Sequence, residues 1–246
     1  MEKIFLNIFS LLLLTLFLYP ILPQYIYIIG GINVVNALVF LFCLFYIFCH
    51  RRIVLIKMKN NIMFHWIYVA IIAISYLNDA EFLKTATYVM AFILLPWFII
   101  SVVNSEERFI KVVDILILAG FFLGVLGIIE SILKTNFIQL FASRDIEFFH
   151  EIRYGLLRIM TTFGQPISYG LYQVFIIALI NYRKNSFNHK HYLNICYWIS
   201  VINIFLSVSR IPIIAFIIVQ MSLVYRKSSK RFKNYLFFIV ILMLLY

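Results

Sequence analysis

The feature that most constrains this chain is a series of long apolar blocks separated by short polar links. A helix needs about 20 mostly apolar residues to cross the hydrocarbon core of a bilayer. Blocks near that length predict membrane spans at Ile4–Leu22, Tyr25–Cys49, Ile62–Leu77, Thr85–Val103, Val112–Leu133, Tyr169–Tyr182, Tyr192–Val208 and Ile211–Tyr225. A ninth block, from Tyr235 to Tyr246, is too short to cross at about 1.5 Å per residue. We therefore expect the natural chain to continue beyond Tyr246.

The composition favours the same fold class. Hydrophobic residues make up 64% of the chain and charged residues 13%, whereas a soluble domain has about 25% charged residues. Most apolar side chains must then face lipid or neighbouring helices. We predict an all-α, polytopic integral membrane protein with about eight or nine transmembrane helices in a single transmembrane domain over residues 1–246. One long outer-face loop, residues 134–168, belongs to this domain.

The distribution of Lys and Arg predicts the orientation, because cytoplasmic loops are enriched in these residues. With Lys3 in the cytoplasm, fifteen of the 21 Lys and Arg residues fall in cytoplasmic links. The net charge of +11 therefore sits in clusters beside the membrane, where anionic lipid head groups are the natural partner. No compact basic domain is predicted, so nucleic acid is excluded as a partner.

The long outer loop carries charges interleaved with aromatic residues. It contains Arg144, Arg153 and Arg158, the acids Asp145, Glu147 and Glu151, and His150. One interpretation is an amphipathic helix that lies in the membrane interface with snorkelling arginines. The other is a functional site, since long loops in compact proteins are often functional.

A second candidate lies in a much shorter outer link, Ser207-Val208-Ser209-Arg210. An arginine at or below the membrane surface is costly unless it pairs with an acid or faces a polar cavity. Glu130, near the outer end of the fifth predicted span, is similarly placed. Two interpretations follow: a structural Arg210–Glu130 pair, or a cavity whose arginines bind an anionic ligand. Arg suits phosphate because its planar fork donates two hydrogen bonds and stays charged.

Two stretches resemble the O-antigen ligase and polymerase superfamily. The first is RIMTTFGQPISYGLY, residues 158–172, with a Phe-Gly-x-Pro turn at the head of a helix. The second is Leu206-Ser-Val-Ser-Arg210, which follows a span, a cytoplasmic loop and a span. The polymerases also carry an arginine, ten residues and a glycine in outer loops, a spacing that Arg153 to Gly164 and Arg144 to Gly155 both fit.

The resemblance implies an inverting, metal-independent, GT-C-like glycosyltransferase without a cofactor. Such an enzyme moves a glycan from a polyprenyl diphosphate carrier to an acceptor hydroxyl at the outer membrane face. Arg158 and Arg210 would stabilise the leaving diphosphate, with Arg153 or Arg144 helping. His150 and Glu151 are candidates for the general base, with Asp145 beside them. Substrate binding would fall to the residues around these arginines, namely Arg144, Gly164, Gln165, Pro166, Ser209 and Glu130.

The same resemblance implies a bacterial plasma (inner) membrane location, multi-pass, with a polyprenyl-diphosphate-linked oligosaccharide as substrate. It also allows a chain-length regulator protein as a partner. We expect a polymerase of surface polysaccharide repeats, of O-antigen or capsule type. An O-antigen ligase is the near variant, and a flippase or exporter of the same lipid-linked sugars is the alternative from another class. A structural subunit of a biosynthetic complex is a third.

The remaining polar and small residues point to structure. Gly120-x-x-x-Gly124, with Gly127 beyond it, is typical of close helix packing. The three cysteines, Cys43, Cys49 and Cys196, lie in or beside apolar spans, so no structural disulfide is expected. His189 and His191 lie in a basic loop without an acid or cysteine partner, so no metal site is predicted.

Overall fold

A computed structural model describes residues 2–23, 39, 99, 102–136, 152–153, 155–184 and 190–227. The predicted span at 62–77, nearly all of those at 25–49 and 85–103, and the block from 235 lie outside these residues. So do the candidate site residues Arg144, His150 and Glu151.

Helices dominate the described part of the chain. They are α1 (Glu2–Ile21), α2 (Glu106–Leu133), α3 (Pro166–Lys184), α4 (Lys190–Leu206) and α5 (Arg210–Lys227). A short antiparallel ladder, β1 (Ile152–Arg153) with β2 (Leu156–Leu157), lies in the long loop. The five helices coincide with five of the predicted spans to within a few residues. Among the described helices, α2 is long and apolar enough to cross a membrane; its 28 residues extend about 42 Å.

The ends of α2 follow from its sequence. The Ser105 side chain caps the first turn by accepting a hydrogen bond from the N–H of Arg108 at 3.3 Å. Glu106 and Glu107 in the first turn suit the positive end of the helix dipole. The helix stops at Lys134, whose left-handed conformation (φ 54°) is a common way to end a helix.

The contacts between helices show in which direction each of them runs relative to α2. At the start of α1 and α2, the Arg108 guanidinium lies 5.3 Å from the centre of the Phe9 ring. Further along both helices, the rings of Phe17 and Phe122 meet edge to face at 5.9 Å. The two helices are therefore parallel. By the same comparison of contacts, α3 runs antiparallel to α2, and α4 runs parallel to it.

The glycines of α2 allow α3 and α4 to approach it closely. A Cβ added at Gly120 would lie 2.5 Å from Ile176 on α3. One at Gly124 would collide with Ile199 on α4, and one at Gly127 with both neighbouring helices. The predicted packing role of this glycine stripe is therefore confirmed.

A buried polar network crosses the same interface. The hydroxyl of Tyr169 on α3 lies 2.7 Å from Oδ1 of Asn203 on α4 and 3.1 Å from the carbonyl oxygen of Leu123 on α2. The Asn203 amide donates to the carbonyl of Gly124 at 2.9 Å. Three helices are thus joined by hydrogen bonds where apolar packing alone would leave their rotation free.

An ion pair joins α2 and α3 near the start of α2 and the end of α3. Nε and Nη2 of Arg183 contact the two oxygens of Asp114 at 2.7 and 3.0 Å. This is the bidentate geometry in which a guanidinium and a carboxylate bind most strongly. The Arg183 side chain is buried, whereas that of Asp114 is partly exposed.

Candidate functional site: an arginine junction at one end of the bundle

The last turns of α1, α2 and α4 and the first turns of α3 and α5 meet at one end of the bundle. Residues 158–162 of the long loop are buried among them, and we call this stretch the Arg158 segment. The loop described here forms a short hairpin and then a buried turn. For these residues the interpretation as an interfacial helix is wrong, because residues 152–153 and 156–157 pair as β strands and residues 158–162 form a buried, non-helical turn.

Each residue from 160 to 162 has a polar anchor on a helix end. Oε1 and Oε2 of Glu130 accept hydrogen bonds from the N–H groups of Met160 (3.2 Å) and Thr161 (2.9 Å). The Asn136 amide donates to the carbonyl of Thr161 at 3.1 Å. The Thr162 hydroxyl donates to the carbonyl of Pro20, at the end of α1, at 2.6 Å. These bonds satisfy backbone groups that burial removes from water.

The Arg158 segment reaches the turn between α4 and α5, residues Ser207–Ser209. Nη2 of Arg158 donates to the Ser209 hydroxyl at 2.8 Å, and Nε donates to the carbonyl of Ser207 at 3.4 Å. The Ile159 N–H donates to the carbonyl of Leu206 at 3.4 Å. The two stretches that carry the family resemblance are therefore joined directly.

The electrostatics of Arg158 follow from its burial. Only 5% of the residue is exposed. Burial lowers the pKa of its guanidinium, but an arginine stays a cation at every physiological pH. The junction therefore holds a fixed positive charge inside the protein, against a serine hydroxyl and a carbonyl.

Arg210 has a different setting. It is the first residue of α5, directly after Ser209, and it is exposed. The predicted Arg210–Glu130 pair does not form in the structure, since both residues are described and both Glu130 oxygens bind backbone N–H groups. Arg210 is thus an exposed cation at the start of α5, directly after the serine that Arg158 contacts.

The Phe-Gly-x-Pro turn starts α3 as predicted. Gly164 adopts a left-handed conformation (φ 66°), which glycine adopts without steric cost. Pro166 is the first residue of α3, where a missing N–H costs nothing. The carbonyl of Gln165 accepts the first hydrogen bond, from the N–H of Tyr169 at 3.1 Å, while the Gln165 side chain is exposed.

Arg153 lies further out on the loop. It is exposed on β1, and the adjacent turn contains Gly155 with φ 75°. The assignments of Arg153, Gly164, Gln165 and Pro166 to catalysis or binding stay predictions, as do those of Arg144, His150 and Glu151 outside the described residues. Within the ranges that the structure describes, no three His, Cys, Asp or Glu side chains cluster as metal ligands.

Sequence reasoning missed several polar residues that join the helices of the bundle. Tyr169, Gln173 and Asn203 form the buried network beneath the junction, and Asp114 pairs with Arg183. A signal was present, because a polar residue inside an apolar span usually faces another helix. Asn136 and Thr162 gave no such signal, since they lie in a loop where polar residues are ordinary.

Comparison of the chain with protein-family models, with curated proteins and with solved structures found no match. The described residues form a helical bundle with one apolar helix of membrane-spanning length and a buried arginine at one end.

Proposed function

We propose that this protein is a polymerase of polyprenyl-diphosphate-linked polysaccharide repeats that works at the outer face of a bacterial inner membrane. One observation carries the proposal: the 2.8 Å hydrogen bond from Arg158 to Ser209. It joins the stretch with the Phe-Gly-x-Pro turn to the Ser-Arg turn, 51 residues away along the chain. These are the two stretches that resemble the superfamily of lipid-linked glycan transferases.

Transfer of a glycan from a diphosphate carrier is favoured by a cation beside the leaving diphosphate. An acceptor hydroxyl oxygen attacks the anomeric carbon, and the bond from that carbon to the carrier diphosphate breaks with inversion. The hydroxyl proton passes to a base, for which His150 and Glu151 are the candidates. The diphosphate leaves with its bonding electron pair, and a positioned arginine lowers the barrier by stabilising the developing charge.

The two arginines of the junction divide this work. Arg210 is exposed and contacts the diphosphate. Arg158 is buried against Ser207 and Ser209 and holds the turn that leads into Arg210, so that the start of α5 is in place before the reaction starts. Arg153 adds positive charge at the exposed hairpin.

The experiment measures surface polysaccharide chain length in cells that lack the gene and are complemented with the full chain. Arg210→Ala and Arg210→Lys are compared with wild type at matched membrane levels. Arg226→Ala, at the far end of the same helix, is the control for loss of one positive charge. We expect single repeats with Arg210→Ala and a full ladder with the control.

The lysine variant separates charge from geometry, because an ammonium cannot donate in the bidentate way of a guanidinium. We expect it to give short chains only. Long chains that remain on the carrier would instead identify a ligase. A normal ladder from Arg210→Ala would refute the arginine mechanism, and lipid-linked repeats held on the cytoplasmic side would identify a flippase.

A further inference from the structure

The carboxyl group of Glu130 is bound to the backbone of the long loop, which neither substrate binding nor an ion pair would require. The residue is 1% exposed, one turn before the end of α2. Its two oxygens accept hydrogen bonds from two successive backbone N–H groups, those of Met160 and Thr161. Successive N–H groups that converge in this way form a concave site for an anion. In the described chain, that site is filled by the protein's own carboxyl group.

We propose that Glu130 is a positioning residue of the junction. By holding the N–H groups of residues 160 and 161, it fixes the Arg158 segment. Through the bond from Arg158 to Ser209, it then supports the turn that leads into Arg210, the first residue of α5. The consequence for catalysis rests on the proposed function, whereas the positioning of the segment does not.

The backbone of Thr161 shows that the segment needs such support. Thr161 is a β-branched residue with φ 45°, a left-handed conformation that such residues rarely adopt. It persists only where the surroundings over-determine it. Glu130, in the last turn of α2, binds the N–H of Thr161, and Asn136, three residues beyond the helix, binds its carbonyl, so both sides of the strained residue are held.

Glu130→Gln changes this support with little change in shape. The amide keeps one oxygen acceptor and replaces the other with a donor, which then faces a backbone N–H. One buried hydrogen bond is lost, and the new amide N–H group faces a backbone N–H group. The buried conformation of the Arg158 segment therefore loses stability. Glu107→Gln makes the same change in an exposed carboxyl at the other end of α2 and serves as the matched control.

The test measures the accessibility of one thiol in the Arg158 segment and of another in the helix bundle. Met160→Cys places a thiol at a buried position of the segment, and Cys196 reports on the interface of α2, α3 and α4. Each thiol is measured alone, in full-length protein in membrane vesicles, with Cys43 and Cys49 replaced by serine. The probe is a small maleimide.

We expect Glu130→Gln to raise the reaction rate at Met160→Cys about tenfold, the effect of one lost buried hydrogen bond, and to leave Cys196 unchanged. Elongation of the lipid-linked repeats should lose kcat with KM unchanged, since the altered hydrogen bonds misplace the cation while substrate binding remains. Glu107→Gln should change neither quantity.

Three results would overturn the proposal. Equal acceleration at both thiols would make Glu130 a group for global stability only. A thiol at position 160 that stays protected would show that Glu130 does not hold the segment. An opened segment with unchanged elongation would separate it from catalysis. If Arg210→Ala gives a normal ladder, the arginine mechanism fails, and the two thiols still decide whether Glu130 positions the segment.

Discussion

Replacing Tyr169 with phenylalanine tests whether the network beneath the junction stabilises the bundle. The Tyr169 hydroxyl has one hydrogen to donate, and its nearest acceptor is Oδ1 of Asn203 at 2.7 Å. The Asn203 amide nitrogen already donates to the carbonyls of Gly124 and Ile199. Tyr169→Phe therefore leaves a buried Asn203 oxygen without its donor.

The magnitude follows from the kind of bond that is lost. Hydrogen bonds between membrane helices average about 0.6 kcal/mol and reach about 1.7 kcal/mol. Leaving a buried acceptor unsatisfied costs about 1–3 kcal/mol in soluble proteins. We expect Tyr169→Phe to lower the free energy of unfolding by about 1–2 kcal/mol, which raises the open population about 5- to 30-fold.

Tyr172→Phe is the matched control. It removes the same atom from the same helix, three residues further on. The Tyr172 hydroxyl is buried and has no hydrogen-bond partner in the described part of the chain. Removing this hydroxyl breaks no hydrogen bond in the described part of the chain. It also removes the unfavourable burial of an unpaired polar group. We expect the bundle to keep its stability or gain slightly.

The assay uses the reaction rate of Cys196 with a maleimide under native conditions, with Cys43 and Cys49 replaced by serine. Cys196 is fully buried, so it reacts only when the helices open. Where opening and closing are fast compared with labelling, the rate follows the open population. Equal rates for the two phenylalanine variants would refute the claim that the network stabilises the packing.

Further predictions concern the rest of the bundle. Gly120→Ala should destabilise it by about 1–3 kcal/mol because the new methyl group overlaps α3; an unchanged Cys196 rate would contradict this. A double-mutant cycle with Asp114→Ala and Arg183→Ala should give a coupling of about 1 kcal/mol, because the Asp114 side chain is partly exposed and solvent screens the pair; additive effects would show that the pair is incidental. An impermeant maleimide applied to whole cells should label Gln165→Cys but reach Glu107→Cys only after permeabilisation; the reverse pattern would overturn the predicted orientation.

The sequence predicts the described helices well and their partners poorly. Long apolar blocks locate α1 and α2 because a helix satisfies its own backbone hydrogen bonds and needs only composition and length to be recognised. The helix start at Pro166 is likewise local, since a glycine turn and a proline at the first position act within a few residues. No such local rule selects one helix face over another, so the network of Tyr169 and Asn203 was not predicted.

The site shows the same division. The sequence marks Arg158, Ser209 and Arg210 as candidates, and the structure brings them together. The sequence could not predict that Arg158 is buried against Ser209 while Arg210 is exposed. The contact between Arg158 and Ser209 joins residues that are 51 positions apart in the chain. Glu130 was expected to pair with Arg210 or to bind substrate. Its bonds to the backbone of residues 160 and 161 depend on how the loop returns over the end of α2.

The parallel packing of α1 and α2 has a consequence for the chain between them. Each crossing of a bilayer reverses the direction of the chain. If both helices cross, the number of crossings between Ile21 and Glu106 has to be odd. The three apolar blocks predicted there satisfy this parity, whereas two or four would not. Two contacts between α1 and α2, Arg108 over Phe9 and Phe17 against Phe122, thus bear on how many of the predicted spans between these helices can cross.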